Sequence, residues 1–86
     1  VILDMVANHT SAYHPWVHDS PTPTWYNGTR RDHLANTFQG WTVADPYATP
    51  ALRRETLDGW FVNFLPDLNQ DDPEVARYLT QNTLWW

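Results

Sequence analysis

"ILDMVANHTS", residues 2–11, is an apolar run interrupted by Asp4 and closed by Asn8 and His9. With Val1 ahead of them, Ile2, Leu3, Met5 and Val6 make a near-continuous apolar stretch too short for a helix. Such runs are the mark of strands in parallel sheets covered on both faces, so residues 1–6 are expected to be a buried strand. In parallel α/β folds the functional side chains lie at the carboxyl ends of strands and in the loops that follow. Asn8 and His9 therefore stand where a site is expected, with a plain loop histidine as the competing reading of His9. Asp4 faces inward within the run, where a charge is costly unless donors or a cation meet it. Its expected role is structural, holding an arginine of a neighbouring strand.

Outward from this run the periodicity vanishes, and Pro15, Pro21, Pro23, Pro46, Pro50 and Pro66 punctuate residues 10–70. A loop of that length in a compact domain is either functional or a small subdomain, and the second reading is adopted. Within it "GWTVADPYA" (40–48) and "GWFVNFL" (59–65) read as short strands. "PALRRETLDG" (50–59) reads as one or two helical turns closed by Gly59. Beyond it Asp72 caps a helix that begins at Pro73, where a missing N–H costs nothing, and Glu74 adds charge at the positive end of the dipole. Val75, Ala76, Leu79, Thr83 and Trp86 follow at helical spacing on one face.

Strand, excursion and helix make one β-to-α unit divided at residues 1–10, 11–71 and 72–86. Such a unit cannot cover both faces of its own strand, so the chain is expected to be a fragment of a larger parallel α/β protein.

Composition narrows the function. Ten acidic residues stand against five Arg and no Lys, a net charge of −5, which argues against nucleic acid and anionic membranes, where clustered cations are needed. Apolar runs fall far short of the roughly 20 residues of a membrane helix. Without cysteine there is neither a disulfide framework nor a thiolate zinc site. Cytoplasm, periplasm and exterior all stay open. Six tryptophans allow sugar stacking, because a pyranose presents an apolar face to an indole; filling a core is the simpler reading for most of them. His14 and His18 have zinc-like spacing, but Pro15 lies between them and no third ligand is evident. "NHT" and "NGT", beginning at Asn8 and Asn27, match the glycosylation triplet.

"DMVANH" (4–9) resembles the first conserved region of the α-amylase family of glycoside hydrolases, at the end of the third barrel strand. "LPDLN" (65–69) resembles that family's short conserved stretch near the end of domain B, the insertion between the third strand and third helix. The passage "DGWFVNFLPDLNQDDPEVARYLTQNTLWW" (58–86) is similar to the neopullulanase and cyclomaltodextrinase branch. The resemblance implies an α/β fold, a piece of a (β/α)8 TIM barrel with an irregular domain B.

It implies further that His9 hydrogen-bonds the sugar in the cleaved subsite, that Asp4 supports the arginine beside the nucleophile, and that Asn8 braces the loop into domain B. In calcium-dependent members the positions of Asn8 and Asp67 help ligate a structural calcium ion. The partner implied is an α-1,4-glucan such as cyclodextrin, pullulan, maltooligosaccharide or starch, together with the rest of the chain's own barrel; a dimeric parent is among the arrangements it allows. Hydrolysis in this family is retaining and needs two carboxyl groups about 5–5.5 Å apart. The family's catalytic carboxylates lie on later strands, so none of them is expected here, and the stretch alone is expected to be inactive and poorly folded. Asp67, Asp71, Asp72 and Glu74 accordingly read as a loop carboxylate and helix N-terminal charges. Two other classes compete. A carbohydrate-binding module would show short alternating strands throughout; an amylase-fold scaffold without catalytic residues would differ only outside these 86 residues.

Overall fold

A computed structural model describes residues 2–36, 40–62 and 64–86. Among these residues the regular elements are two single-turn 3-10 helices, Pro15–Val17 and Gly40–Val43, and two α-helices, α1 (Pro50–Asp58) and α2 (Pro73–Trp85).

The capping chemistry of α2 is as its sequence predicts. Asp72 is the N-cap and its carboxylate accepts the Glu74 N–H at 2.9 Å, with Pro73 next in line. The Thr22 and Thr24 hydroxyls also donate to that carboxylate and so tie the helix start to the preceding loop. These donors, Thr22 foremost, hold Asp72 below the usual carboxylate range. Glu74 pairs with Arg77 one turn on, at 2.7 Å and largely exposed. α1 has Thr49 as its N-cap, accepting the Leu52 N–H, and Gly59 as its C-cap. Gly59 is not left-handed (φ −73°, ψ 144°). Glycine is required there by close approach, since a Cβ would lie 2.3 Å from the Glu55 carbonyl oxygen and 2.6 Å from the Asn36 nitrogen.

The expected strands do not form. Residues 2–6 take no part in a ladder, and Ile2 is 95% exposed; Val1 lies outside the described residues. A strand is held by the N–H and C=O groups of a neighbour, and among the described residues no main chain pairs with this one; its neighbour is α2, whose Thr83 hydroxyl meets the Met5 sulfur. Asp4 is correspondingly exposed rather than buried, and makes no ion pair among the described residues. The segment 40–48 is a 3-10 turn and bends, packed on α1 and fastened by the Arg53 guanidinium to the Asp45 carbonyl. Residues 59–65 reverse direction, with the Phe61 N–H donating to the Leu65 carbonyl and Val62 at φ 52°; Asn63 lies outside the described residues. Among the described residues pairing is reduced to three isolated bridges, His9 with Asp67 and Tyr26 with Leu68 antiparallel, and Ala35 with Trp60 parallel. No sheet or barrel is formed among the described residues.

Trp25, Leu68 and Val75 form the buried centre, with Trp16, Tyr26 and Leu79 packed around it. Trp16 meets Trp25 and Tyr78 edge to face at about 5 Å. Of the face expected on α2, Val75 is buried and Leu79 half-buried, while Ala76, Thr83 and Trp86 are exposed. The far end of α2 and residues 3–6 instead line an open groove of about 570 Å³.

Candidate functional site at the meeting of three segments

Three segments distant in sequence are laced together by main-chain bonds. The Thr10 and Ala12 N–H groups donate to the Pro66 and Phe64 carbonyls, and the Leu68 N–H donates to the Asn8 carbonyl at 2.8 Å. From the third segment the Asn27 N–H donates to the Asp67 carbonyl at 2.9 Å, and the Asn69 N–H to that of Trp25. A bond of 2.8 Å between the Thr10 and Tyr26 hydroxyls closes the seam. His9, Asn8 and Asp67, which the resemblance singles out, are thereby brought to one place.

Asp67 is 1% exposed. Its carboxylate accepts the Asn27 side-chain N–H at 2.7 Å. Burial pushes its carboxyl up to about 6, with the nearby Asp58 charge acting in the same direction; hydrogen bonds from Asn27 and Asn8 oppose the rise. The Asn8 amide nitrogen lies 3.3 Å from His9 Nδ1. An amide nitrogen can only donate, so Nδ1 accepts and a neutral His9 carries its proton on Nε2. The ring is also flanked by Phe61, nearly parallel at 7° with centroids 6.0 Å apart. His9 is thus a held imidazole whose Nε2–H is a donor suited to a hydroxyl ligand.

The remaining candidates separate from this corner. Among the tryptophans, whose simpler reading is core filling, Trp60 is 2% exposed, lies flat against His33 at 4.0 Å and donates its indole N–H to the Asn27 carbonyl. It offers no free face; Trp41 is exposed. His14 caps the first 3-10 helix by accepting the Trp16 N–H, and His18 closes the same turn. Neither shares an α-helical face with the other. Asp72 and Glu74 are occupied at the start of α2, and Asn27, engaged with Asp67, is not presented as a glycan acceptor.

The donor types here suit calcium, which takes hard oxygen ligands: the Asp67 carboxylate and, once turned oxygen-inward, the Asn8 and Asn27 amides. As arranged, the amide groups instead supply N–H donors to the carboxylate. Among the described residues no group of three or more His, Cys, Asp or Glu side chains could hold a metal, and no helix is long and apolar enough to cross a membrane. Sequence reasoning missed Asn27 and Phe61. Asn27 sits in "YNG", which carries only a turn signal, and its partner is 40 residues away.

The chain is similar over its whole length to alpha-amylase 3 of Dictyoglomus thermophilum, at 32% identity over 90 residues. It is likewise 32% identical over 100 residues to trehalose synthase of Thermus thermophilus. It is 27% identical over 97 residues to an amino acid transporter heavy chain of Rattus norvegicus. It spans 17%, 10% and 14% of these three proteins respectively. No protein-family model matches the chain. The likeness to an amylase and a trehalose synthase supports the α-amylase family broadly.

Proposed function

We propose that residues 1–86 are part of a retaining α-glucan-active enzyme of the α-amylase family, covering the end of the third barrel strand, domain B and the start of the third helix. The single observation that carries this reading is the meeting of the Asn8–His9 and Asp67 motifs, joined by the Leu68–Asn8 main-chain bond across 60 residues. Two short matches far apart in sequence gain weight when they form one corner. The similarity to an amylase and a trehalose synthase points the same way.

In this reading the chain binds and orients, and the bond-breaking carboxylates lie outside it. His9 donates from Nε2 to a sugar hydroxyl. Asp4 meets an arginine of an adjoining strand, and Asn8 braces the passage into domain B. Substrates of the cyclodextrin, pullulan and maltooligosaccharide class belong to the same proposal, with the neopullulanase and cyclomaltodextrinase branch as the finer placement. A calcium ion at Asn8 and Asp67, with the Asn8 amide turned oxygen-inward, would supply charge neutralisation and rigidity; its removal by chelation would then lower the thermal midpoint.

The test is His9→Ala in the full-length protein. A lost charge-neutral hydrogen bond to a bound hydroxyl is expected to lower kcat/KM on maltooligosaccharides by about tenfold or more. Unchanged kinetics would reject the substrate role of His9. The similarity to a transporter heavy chain favours a second reading, a non-catalytic amylase-fold scaffold. Full-length protein that binds but never hydrolyses α-glucans, and lacks the strand-end carboxylates downstream, would select that scaffold.

A further inference from the structure

A smaller pocket, of about 220 Å³, lies between residues 27–34 and the C-terminal half of α1. Its space is about seven times the roughly 30 Å³ share of a liquid water, room for one sugar ring and not for a protein surface. The loop on one side of it is closed on itself. Thr29 and Asp32 exchange main-chain bonds of 2.8 and 3.2 Å, and the Asp32 N–H also reaches the Thr29 hydroxyl. Gly28 permits this closure: it has φ +87°, and a Cβ there would lie 2.7 Å from the Asp32 carbonyl oxygen.

His33 is held from two directions. Its ring lies flat against Trp60 with centroids 4.0 Å apart, and its Nδ1 is 2.8 Å from the Thr29 carbonyl oxygen. A carbonyl only accepts, so Nδ1 carries the proton and the neutral ring leaves Nε2 as an acceptor. The other polar walls are not used up by the fold. The Asp32 carboxylate makes no hydrogen bond or ion pair among the described residues. Arg54 meets Asp58 only at 4.0 Å, in a largely exposed pair one turn apart of the kind that contributes little. Leu34 adds an apolar wall. Two carboxylates repel a phosphate, and Arg54 repels a simple cation. A pyranose suits both signs, because each hydroxyl donates as well as accepts while the ring offers a C–H face to Leu34.

We propose that this pocket is a second carbohydrate site, holding one glucosyl unit of an α-glucan through Asp32, His33, Arg54 and Asp58 in addition to the unit bound at His9. This rests on the α-glucan reading for the identity of the sugar, and on the pocket and its unpaired groups for the existence of the site.

The experiment titrates full-length protein in a calorimeter with a thio-linked maltotetraose, whose sulfur bridges resist hydrolysis. Wild type is expected to bind in two classes of site. Asp32→Ala should weaken one class about tenfold, as loss of a hydrogen bond to a charged group does, and leave the other as it was; His9→Ala should do the reverse. A single class that His9→Ala weakens and Asp32→Ala spares overturns the pocket while the His9 reading stands. Weakening by Asp32→Ala with none by His9→Ala supports the pocket and rejects the role of His9. A single class weakened by both variants would make the pocket part of the His9 corner and overturn a second site, and no binding at all overturns both readings. Should Asp32→Ala fail to fold, Leu34→Trp keeps every polar group and fills the space. A loss of about tenfold in the same class then supports the proposal, and an unchanged titration overturns it.

Discussion

Residues 2–6 and residues 8–12 adjoin one another along the chain and meet opposite fates. The first group is nearly all apolar and stays exposed; the second is largely polar, yet it is stitched by main-chain bonds to residues 64–68 and contributes the buried Ala12. The difference lies in partners. Apolar character creates a demand for cover, whereas cover itself requires another element at the right place. Polar residues 8–12 have theirs in the segment carrying Pro66 and Leu68, and the exposed run has only one side of a groove shared with α2. A similar contrast separates the two ends of α2, where Val75 is fully buried and Trp85 is 76% exposed.

The sharpest way to break this comparison is to attack the stitched part. Trp60→Ala removes a buried ring and the donor to Asn27, and is expected to cost about 3–5 kcal/mol, read as a lowered thermal midpoint together with weakened near-ultraviolet aromatic signals. A loss near zero would show that the stitched region does not depend on its own interior.

Next comes acidity. Asp67 has its carboxyl raised from 3.8 to about 6 in the folded state, so the native chain keeps a proton that the unfolded chain releases. The stability this contributes is complete below pH 3.8 and is lost as pH rises through about 6. Asp67→Asn is expected to flatten the stability profile over that window, as measured by denaturant unfolding at a series of pH values. Asp72 has the opposite sign: its lowered carboxyl contributes above its ordinary value and loses that contribution on acidification. A profile unchanged by Asp67→Asn would disconnect burial from titration in this corner.

A smaller effect is expected at Val62, a β-branched residue held at φ 52° beside Phe61. Val62→Asn should stabilise by about 1 kcal/mol, because asparagine tolerates the left-handed region that valine resists. The smallest belongs to the exposed run. Leu3→Ala in the 86-residue chain should change the unfolding free energy by less than about 0.5 kcal/mol; in a full-length protein that covers the run it should cost about 2–3 kcal/mol. Equal effects in the two settings would remove the contrast altogether.

Legibility in the sequence followed the range of the interactions. Both α-helices could be read because their signals are local, Gly59 closing the first and Asp72 with Pro73 opening the second; the Thr49 cap of α1 is added by the structure. The strands at 1–6, 40–48 and 59–65 could not, since a strand is completed by residues elsewhere. Asn8, His9 and Asp67 were marked by their motifs, and their convergence follows from the bonds around Pro66 and Leu68. Asn27 was hidden because its meaning depends on a carboxylate 40 residues away. Which tryptophans fill the core and which stay free was not legible, because an aromatic in a loop gives no local sign of which other ring will lie against it, as His33 lies against Trp60.

The lacing of the corner has a consequence in time. Its bonds join residue 8 to residue 68 and residue 27 to residue 67, so each closes a long loop before any contact rewards the closure. While the chain is being synthesised, α1 can form early from its own caps, but the His9 corner has to wait until Leu68 has emerged. A ribosome stalled before that point therefore displays Asn8 and His9 without the main-chain bonds that set their place.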